Sequence, residues 1–330
     1  MKRREFIALI ARAATASPFA AHAQQRDRMR HLGVLMGNHL NDPVGKALAA
    51  ALVQGLGALD WHGGDNLRIE WRWAGADPAL FQRYAAELVA LSPDVILAQT
   101  SPAVVAIRRE TKTIPVVFVT VTDPVGRGFV ASLAHPGGNV TGFSDFDAPM
   151  AGKWMGMLTQ IVPPVARVAA LFNPATALQA GLMLRAIEDA APSFGVAVRP
   201  APVQDDSEIE AVMAELAGEE RCGVLVLAEI FTWVHRDAII AAAARHRLPA
   251  IYYDRSFVAA GGLMSYGFDP AELFRRAASY VDLILKGSSP GDLPVQNPIK
   301  FELTINLKTA NSLGVTIAPL LLGTADEMIE

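Results

Sequence analysis

Residues 94–121 read DVILAQTSPAVVAIRRETKTIPVVFVTV, and the fold class follows from their order. Two runs rich in β-branched and apolar residues, 94–98 and 116–121, flank a segment at 102–112 that begins with proline. Proline is favoured in the first turn of a helix, where its missing N–H costs nothing. We therefore predict a strand, a helix and a second strand, the βαβ unit that places both strands in one parallel sheet.

The same alternation continues on both sides of this unit. The first series of predicted strands is 31–36, 67–73, 94–98, 116–121 and 140–143, with helices at 43–59, 78–91 and 102–112. A dividing stretch at 144–149 and a helix at 152–161 lead into a second series. Its strands are 168–172, 197–200, 223–228, 250–253 and 263–266, with helices at 178–191, 207–217, 236–245 and 256–260. The chain therefore predicts an α/β protein with two similar, doubly wound parallel-sheet lobes.

The end of the chain departs from this alternation. A last helix is predicted at 270–285, and GSSPG at 287–291 has the composition of a loop. An alternating strand follows at 300–306. A linker this late in the chain indicates that the backbone returns between the lobes more than once.

The first 23 residues carry the features of an export signal. Three basic residues at 2–4 precede an apolar segment at 6–10, and AHA at 21–23 supplies a small-x-small cleavage site. We therefore expect an exported, periplasmic protein. RREFI at 3–7 also fits the twin-arginine pattern, so the general secretory route and the twin-arginine route both stay open.

Composition excludes two classes of partner. Arg12 and Pro18 interrupt the apolar run of the signal, which is too short to span a bilayer, so we expect no membrane anchor. The chain has 29 basic and 33 acidic residues; the signal holds four basic and one acidic, so the rest carries 25 and 32, a net charge of −7. Such a surface repels nucleic acid.

No sequence motif of an enzyme or metal site stands out. Cys222 is the single cysteine, which excludes an internal disulfide, and it opens an apolar run typical of a buried thiol. The seven histidines are scattered, with none paired at i,i+4 spacing. Serine-hydrolase, zinc-protease and phosphate-loop motifs are missing from the sequence. We therefore expect no catalytic residues, no metal and no cofactor.

One glycine pattern supports an enzyme as an alternative. GRGFVA at Gly126–Ala131 fits the dinucleotide fingerprint, and acidic residues follow about 20 positions later, at Asp145 and Asp147. An exported NAD(P)-dependent oxidoreductase would use this segment. However, the residues DPV at 123–125 separate the predicted strand from the glycines. The loop-forming residues PGGN at 136–139 then leave too short a segment for a crossover helix.

Ligands of open α/β sheets bind beyond the carboxyl ends of the strands. Thr100 and Ser101 suit an anionic group such as a carboxylate, or simply cap the helix. Asp123 and Glu229 suit an ammonium group, or cap the helices that follow them. Trp233 follows a strand end and suits ring stacking. The candidate ligand-binding residues are Asn38, Thr100, Ser101, Thr122, Asp123, Asn173, Glu229, Trp233, Tyr253 and Asp254.

Five segments carry a resemblance to a known family. They are IPVVFVTVTDPV at 114–125, PGGNVTG at 136–142, GGLMSYG at 261–267, LPV at 293–295 and KFELTINLKTA at 300–310. With these segments the chain resembles the bacterial ABC-transporter substrate-binding proteins, a family that includes tryptophan- and tyrosine-binding members. The resemblance covers essentially the whole mature chain.

The resemblance implies a type I periplasmic-binding-protein fold, in which two lobes joined by a three-crossing hinge close on a ligand. The expected lobes are 30–145 plus 268–290, and 147–266 plus 295–330. The implied function is capture of a small molecule, an amino acid or similar zwitterion with aromatic ones among the candidates, for the transmembrane subunits of an ABC permease. We expect a monomer. A ligand-sensing partner of a membrane receptor is a further alternative.

Overall fold

A computed structural model describes residues 29–162 and 164–330, and the export signal predicted at 1–23 lies outside this part of the chain. Within it, the strands form two large sheets and one small two-stranded sheet. No helix of the described residues is long and apolar enough to cross a membrane.

The first sheet is fully parallel, with strand order β2-β1-β3-β4-β5. Its elements are β1 (Arg30–Met36), α1 (Pro43–Gly57), β2 (Leu67–Trp73), α2 (Pro78–Ala90), β3 (Val95–Gln99), α3 (Thr100–Glu110), β4 (Val116–Val121) and β5 (Val140–Ser144). Helices α1 and α2 each begin with proline after an aspartate whose side chain accepts a backbone N–H of the first turn. Proline and N-cap aspartate are therefore sufficient local reasons for both helix starts.

The second lobe repeats this plan. Its first elements are α4 (Pro149–Leu158), β6 (Ile161–Val162), β7 (Arg167–Phe172), α5 (Ala180–Phe194), β8 (Ala197–Pro202), α6 (Asp206–Ala217), β9 (Cys222–Val226), α7 (Ile230–Val234), α8 (Arg236–Arg245), β10 (Ala250–Tyr252), α9 (Arg255–Ala259) and β11 (Met264–Gly267). The remaining elements are α10 (Pro270–Leu285), a 3₁₀ turn (Pro290–Asp292), β12 (Glu302–Asn306), α11 (Leu307–Leu313), β13 (Thr316–Ile317), α12 (Pro319–Leu322) and β14 (Glu327–Ile329).

The second sheet has the order β14-β12-β11-β10-β9-β7-β8. Strands β7 to β11 are parallel in the same 2-1-3-4-5 arrangement as the first sheet, and β12 joins antiparallel to β11. The predicted fold class, two doubly wound parallel-sheet lobes, is confirmed. The short β13 and β6 pair separately.

The backbone crosses between the lobes three times, after β5, after β11 and before β12. Helix α10 packs against α1 of the first lobe, whereas β12 pairs in the second sheet. One phenylalanine lies in or beside each crossing, and the three pack together. The ring centroids of Phe146 and Phe268 are 4.9 Å apart, and each lies 6.1 Å from that of Phe301. The hinge therefore has an aromatic core of its own.

The helix between the two series begins and ends three residues earlier than the sequence-based expectation. The helix predicted at 152–161 spans Pro149–Leu158, because Pro149 occupies its first turn and Ile161 pairs with β13. Trp154 on this helix is buried and donates its indole N–H to the carbonyl of Tyr266, 2.7 Å away. This hydrogen bond ties the helix that follows the first crossing to the strand that precedes the second.

Gly142 in β5 gives a direct test of strand pairing. Its φ is +154°, and a Cβ atom there would lie 2.1 Å from the carbonyl oxygen of its partner Phe118. Gly142→Ala should therefore force β5 off β4 and lower the free energy of unfolding by at least about 3 kcal/mol, as measured by urea denaturation. Gly181→Ala in α5, where nothing lies within 4 Å, should have no such cost. Equal stability of the two variants would contradict this account of the pairing.

Candidate ligand-binding cavity

A cavity lies between the lobes and is lined by both. Its walls come mainly from segments that follow the carboxyl ends of β3, β4, β9 and β10, together with the first two hinge crossings. Clefts between two domains are preferred positions for small-molecule sites.

The structure brings most of the predicted site residues to this cavity. Seven of the ten line it: Thr100, Ser101, Thr122, Glu229, Trp233, Tyr253 and Asp254. Three do not: Asn38, Asp123 and Asn173. The side chains of these three instead hold their own loops. Asn38 donates to Asp42, 2.8 Å away, Asp123 accepts from the backbone of Gly126, and Asn173 accepts from the backbone of Ala175.

The start of α3 presents unoccupied donors. Gln99 precedes the helix but does not cap it, because its side-chain oxygen accepts the N–H of Gly37, 2.9 Å away. Thr100 has a φ of +76° and its buried hydroxyl has no hydrogen-bond partner among the described residues. Ser101 beside it is also buried. Neither hydroxyl caps the helix, so the first turn of α3 keeps the capacity to bind an anionic group.

Asp145 at the first crossing supplies a negative group. Its Oδ1 accepts hydrogen bonds from the Thr122 hydroxyl at 2.7 Å and from the N–H of Phe146 at 2.5 Å. The second carboxylate oxygen, Oδ2, accepts no hydrogen bond from another described residue. Burial raises the pKa of Asp145 to about 6 and outweighs these hydrogen bonds, which act to lower it. A cationic group of a ligand would relieve this cost.

Glu229 is bound by the protein itself. Its Oε1 accepts the N–H groups of Asn173 (3.2 Å) and Thr232 (3.1 Å), and its Oε2 accepts the Thr176 hydroxyl (2.7 Å) and the N–H of Phe231 (2.6 Å). Burial raises its pKa to about 7 in spite of these four bonds. Two of these donors lie in the loop after β7 and two lie in α7, so the Glu229 carboxylate connects that loop to the start of α7.

Aromatic rings form much of the cavity wall. Trp233 and Tyr253 meet edge to face with centroids 6.0 Å apart, and Tyr253 lies 6.2 Å from Phe146. Phe268 completes this wall from the second crossing. The indole N–H of Trp233 is buried and has no partner among the described residues. The wall therefore suits a flat apolar group that also carries a hydrogen-bond acceptor.

Asp254 closes the cavity from the second lobe. Its Oδ1 accepts the N–H of Ser256 at 2.8 Å, and burial raises its pKa. In the described part of the chain, the cavity lining contains no Lys, Arg or His. The site thus holds carboxylates without basic side chains, and its capacity for a negative group rests on hydroxyls and a helix N-terminus.

Sequence reasoning missed residues at the crossings. Asp145, Phe146 and Phe268 line the cavity, although none of them is among the predicted ligand-binding residues and Asp145 entered only through the dinucleotide pattern. Thr176 and Gln179, from the loop after β7, line it as well. The sequence signal that could have indicated Asp145 and Phe146 is their position directly after the buried strand β5.

The segment proposed for dinucleotide binding has the wrong geometry. Gly126–Ala131 forms turns, and no helix follows it before β5. A dinucleotide fingerprint requires a helix N-terminus at this point to hold the pyrophosphate. The lone thiol of Cys222 is buried, which raises its pKa to about 11 and so disfavours the reactive thiolate.

Comparisons with known proteins agree with this geometry. The model of the family described as ABC transporter substrate binding protein matches residues 39–329. A tyrosine-binding protein of Clostridioides difficile (strain R20291) is 28% identical over 251 residues, which are 76% of this chain and 71% of that protein.

Two solved structures extend the comparison. A conserved domain protein of Vibrio cholerae is 30% identical with a TM-score of 0.84, covering 91% of this chain and 100% of that one. The ABC domain of Streptococcus pneumonia in complex with L-Trp is 24% identical with a TM-score of 0.83 and the same coverage. The family match confirms the predicted resemblance and the type I periplasmic-binding-protein fold, and it overturns the oxidoreductase alternative. The chain belongs to the ABC transporter substrate-binding protein family, whose members are binding proteins and not enzymes.

Proposed function

We propose that this protein captures an amino acid or a similar zwitterion in the cavity between its lobes. One observation carries the proposal: the cavity combines free donors at the start of α3 with a free carboxylate oxygen on Asp145. A zwitterion satisfies both at once, whereas a simple anion leaves the carboxylate unpaired and a simple cation leaves the donors unpaired.

The proposed orientation follows from these groups. The ligand carboxylate is held by the first turn of α3 with Thr100 and Ser101, and its ammonium group by Asp145. The side chain then lies against Phe146, Trp233, Tyr253 and Phe268. An aromatic side chain suits this wall, in keeping with the tyrosine-binding relative and the L-Trp complex of the Streptococcus protein.

Transport gives this binding event its context. We infer that the protein is exported to the periplasm, that its lobes rotate about the three crossings, and that the closed, loaded form docks on the transmembrane subunits of an ABC permease. The lobe boundaries at 145–147, 266–268 and 290–295 belong to this proposal. Support comes from family membership, from the export signal in the sequence and from a cavity lined by both lobes.

The ligand class can be tested by thermal unfolding. L-tyrosine or L-tryptophan at 100 times its dissociation constant should stabilise the protein by about 2.7 kcal/mol. Tyramine, which lacks the carboxylate, and N-acetyl-tyrosine, which lacks the ammonium group, should bind at least about 10-fold more weakly. If all the natural amino acids leave the melting temperature unchanged, the amino-acid proposal is wrong.

Asp145 should make binding depend on pH. Its pKa is about 6, so protonation below that value removes the charge that faces the ligand ammonium. We expect the dissociation constant, measured by calorimetry, to rise about 10-fold from pH 7 to pH 5. In Asp145→Asn, binding should be weaker at pH 7 and should lose this dependence. Asp189→Asn, an exposed acid of α5 that does not contribute to the pKa of Asp145, is the matched control. A pH dependence that persists in Asp145→Asn would contradict the assigned role.

Glu229 should make the free energy of unfolding depend on pH. Because its pKa in the folded protein, about 7, lies above the ordinary 4.5, the folded state binds the proton more tightly than the unfolded chain. The free energy of unfolding should therefore fall by about 3 kcal/mol between pH 4.5 and pH 7 from this group. Glu229→Gln should remove that decline and lower stability at pH 5, because an amide cannot accept all four donors. Exposed Glu188→Gln should change neither quantity. An unaltered pH profile in Glu229→Gln would refute this assignment.

A further inference from the structure

Outside the ligand cavity, the lobes meet at a charged contact. Asp42 lies directly before α1 in the first lobe, and Arg236 is the first residue of α8 in the second. The Nη2 of Arg236 lies 2.9 Å from Oδ1 of Asp42, and the two side chains are only 13% and 8% exposed. Neither residue lines the cavity.

The position of Arg236 is unfavourable within its own lobe. A positive side chain at a helix N-terminus opposes the helix dipole. The acid beside it, Asp237, is 83% exposed and its Oδ1 is 3.7 Å from Nε of Arg236, so it offers little compensation. The carboxylate that does accept a hydrogen bond from Arg236 belongs to the opposite lobe. Arg236 is therefore placed for contact with Asp42.

Asp42 is held ready for this contact. Its Oδ1 also accepts the N–H of Val44, which caps α1, and its Oδ2 accepts the side-chain amide of Asn38 at 2.8 Å. Asn38 is fully buried in the loop after β1. A carboxylate fixed by two groups of its own lobe loses little conformational entropy when Arg236 arrives.

Arg236 in turn connects this contact to the cavity wall. Its Nη1 donates to the carbonyl of Trp233, 3.2 Å away, and the indole ring of Trp233 lines the cavity. Close by, a Cβ on Gly37 would lie 2.7 Å from Cγ1 of Ile230, another lining residue. The lobes therefore approach closely beside the ion pair, and this packing depends on their closed arrangement.

We propose that Asp42 and Arg236 form an inter-lobe latch that sets ligand affinity without touching the ligand. The inference rests on the proposed hinge closure. Both ligand and latch stabilise the closed form, so loss of the latch lowers the closed population and raises every dissociation constant by the same factor. A residue that contacts the ligand would instead affect different ligands unequally. Asp42 and Arg236 are thus positioning residues for closure.

The variants can be matched closely. Asp42→Asn removes the charge but keeps a good N-cap for α1. Asp77→Asn is its control, because Asp77 caps α2 in the same way and its side chain accepts the N–H groups of Ala79 and Leu80 in its own lobe. Arg236→Gln breaks the latch from the other side. Arg245→Gln is its control, because Arg245 ends the same helix and pairs with Glu210 inside its own lobe.

Cross-linking measures closure without a ligand. Ala47 and Ala259 are exposed residues of opposite lobes that line one inter-lobe groove. In Ala47→Cys/Ala259→Cys, the rate of cross-linking by a short bismaleimide reports how often the lobes close, and the buried Cys222 stays inert. We expect Asp42→Asn and Arg236→Gln each to slow this rate about 5- to 50-fold, with both controls unchanged.

The double variant identifies the pair. If the two residues act through one contact, Asp42→Asn/Arg236→Gln should cross-link no more slowly than the slower single variant. L-tyrosine and L-tryptophan, titrated into Asp42→Asn, should show equal fold increases in dissociation constant over wild type. Rates equal to those of the controls, or multiplied effects in the double variant, would overturn the latch. If neither amino acid binds the wild-type protein, the amino-acid proposal fails. The cross-linking rates, which are measured without ligand, still test the latch in that case.

Discussion

The direction of parallel strands is the constraint on which the site depends. Every strand from β1 to β5 ends at the same edge of its sheet, and so does every strand from β7 to β11. Both edges face the space between the lobes, so the loops and helix starts that follow these strands converge there. Helix N-termini carry partial positive charge. This geometry explains how the cavity can offer a place for a carboxylate without a basic side chain in its lining.

The two lobes make an equivalent hydrogen bond with different residues. In each, a side chain at or beyond the end of the third strand of the repeat accepts an N–H from the loop after the first strand. Gln99 accepts from Gly37 in the first lobe, and Glu229 accepts from Asn173 in the second. The neutral amide introduces no charge, whereas the buried acid acquires a pKa of about 7. The repeated topology therefore has an electrostatic difference built into it.

Closure involves three groups of contacts with separate roles. The aromatic core of Phe146, Phe268 and Phe301 holds the crossings together, the cavity supplies contacts for the ligand, and Asp42 with Arg236 joins the lobes at the rim. An ion pair that loses solvent on closing gains only part of its Coulomb energy. Such a contact can bias closure without closing the protein by itself, which leaves the ligand in control.

The sequence alone determined the alternation of strands and helices and the two restarted α/β series, because hydrophobic runs, prolines and cap residues are local signals. It also placed Thr100, Glu229 and Trp233 at strand ends that line the cavity. Only the tertiary structure showed that Asp145 and Phe268 line the cavity, because the paths of the crossings depend on how two lobes pack. It also showed that Asp42 pairs with Arg236 of the opposite lobe, since a contact between lobes has no spacing in the sequence that reveals it.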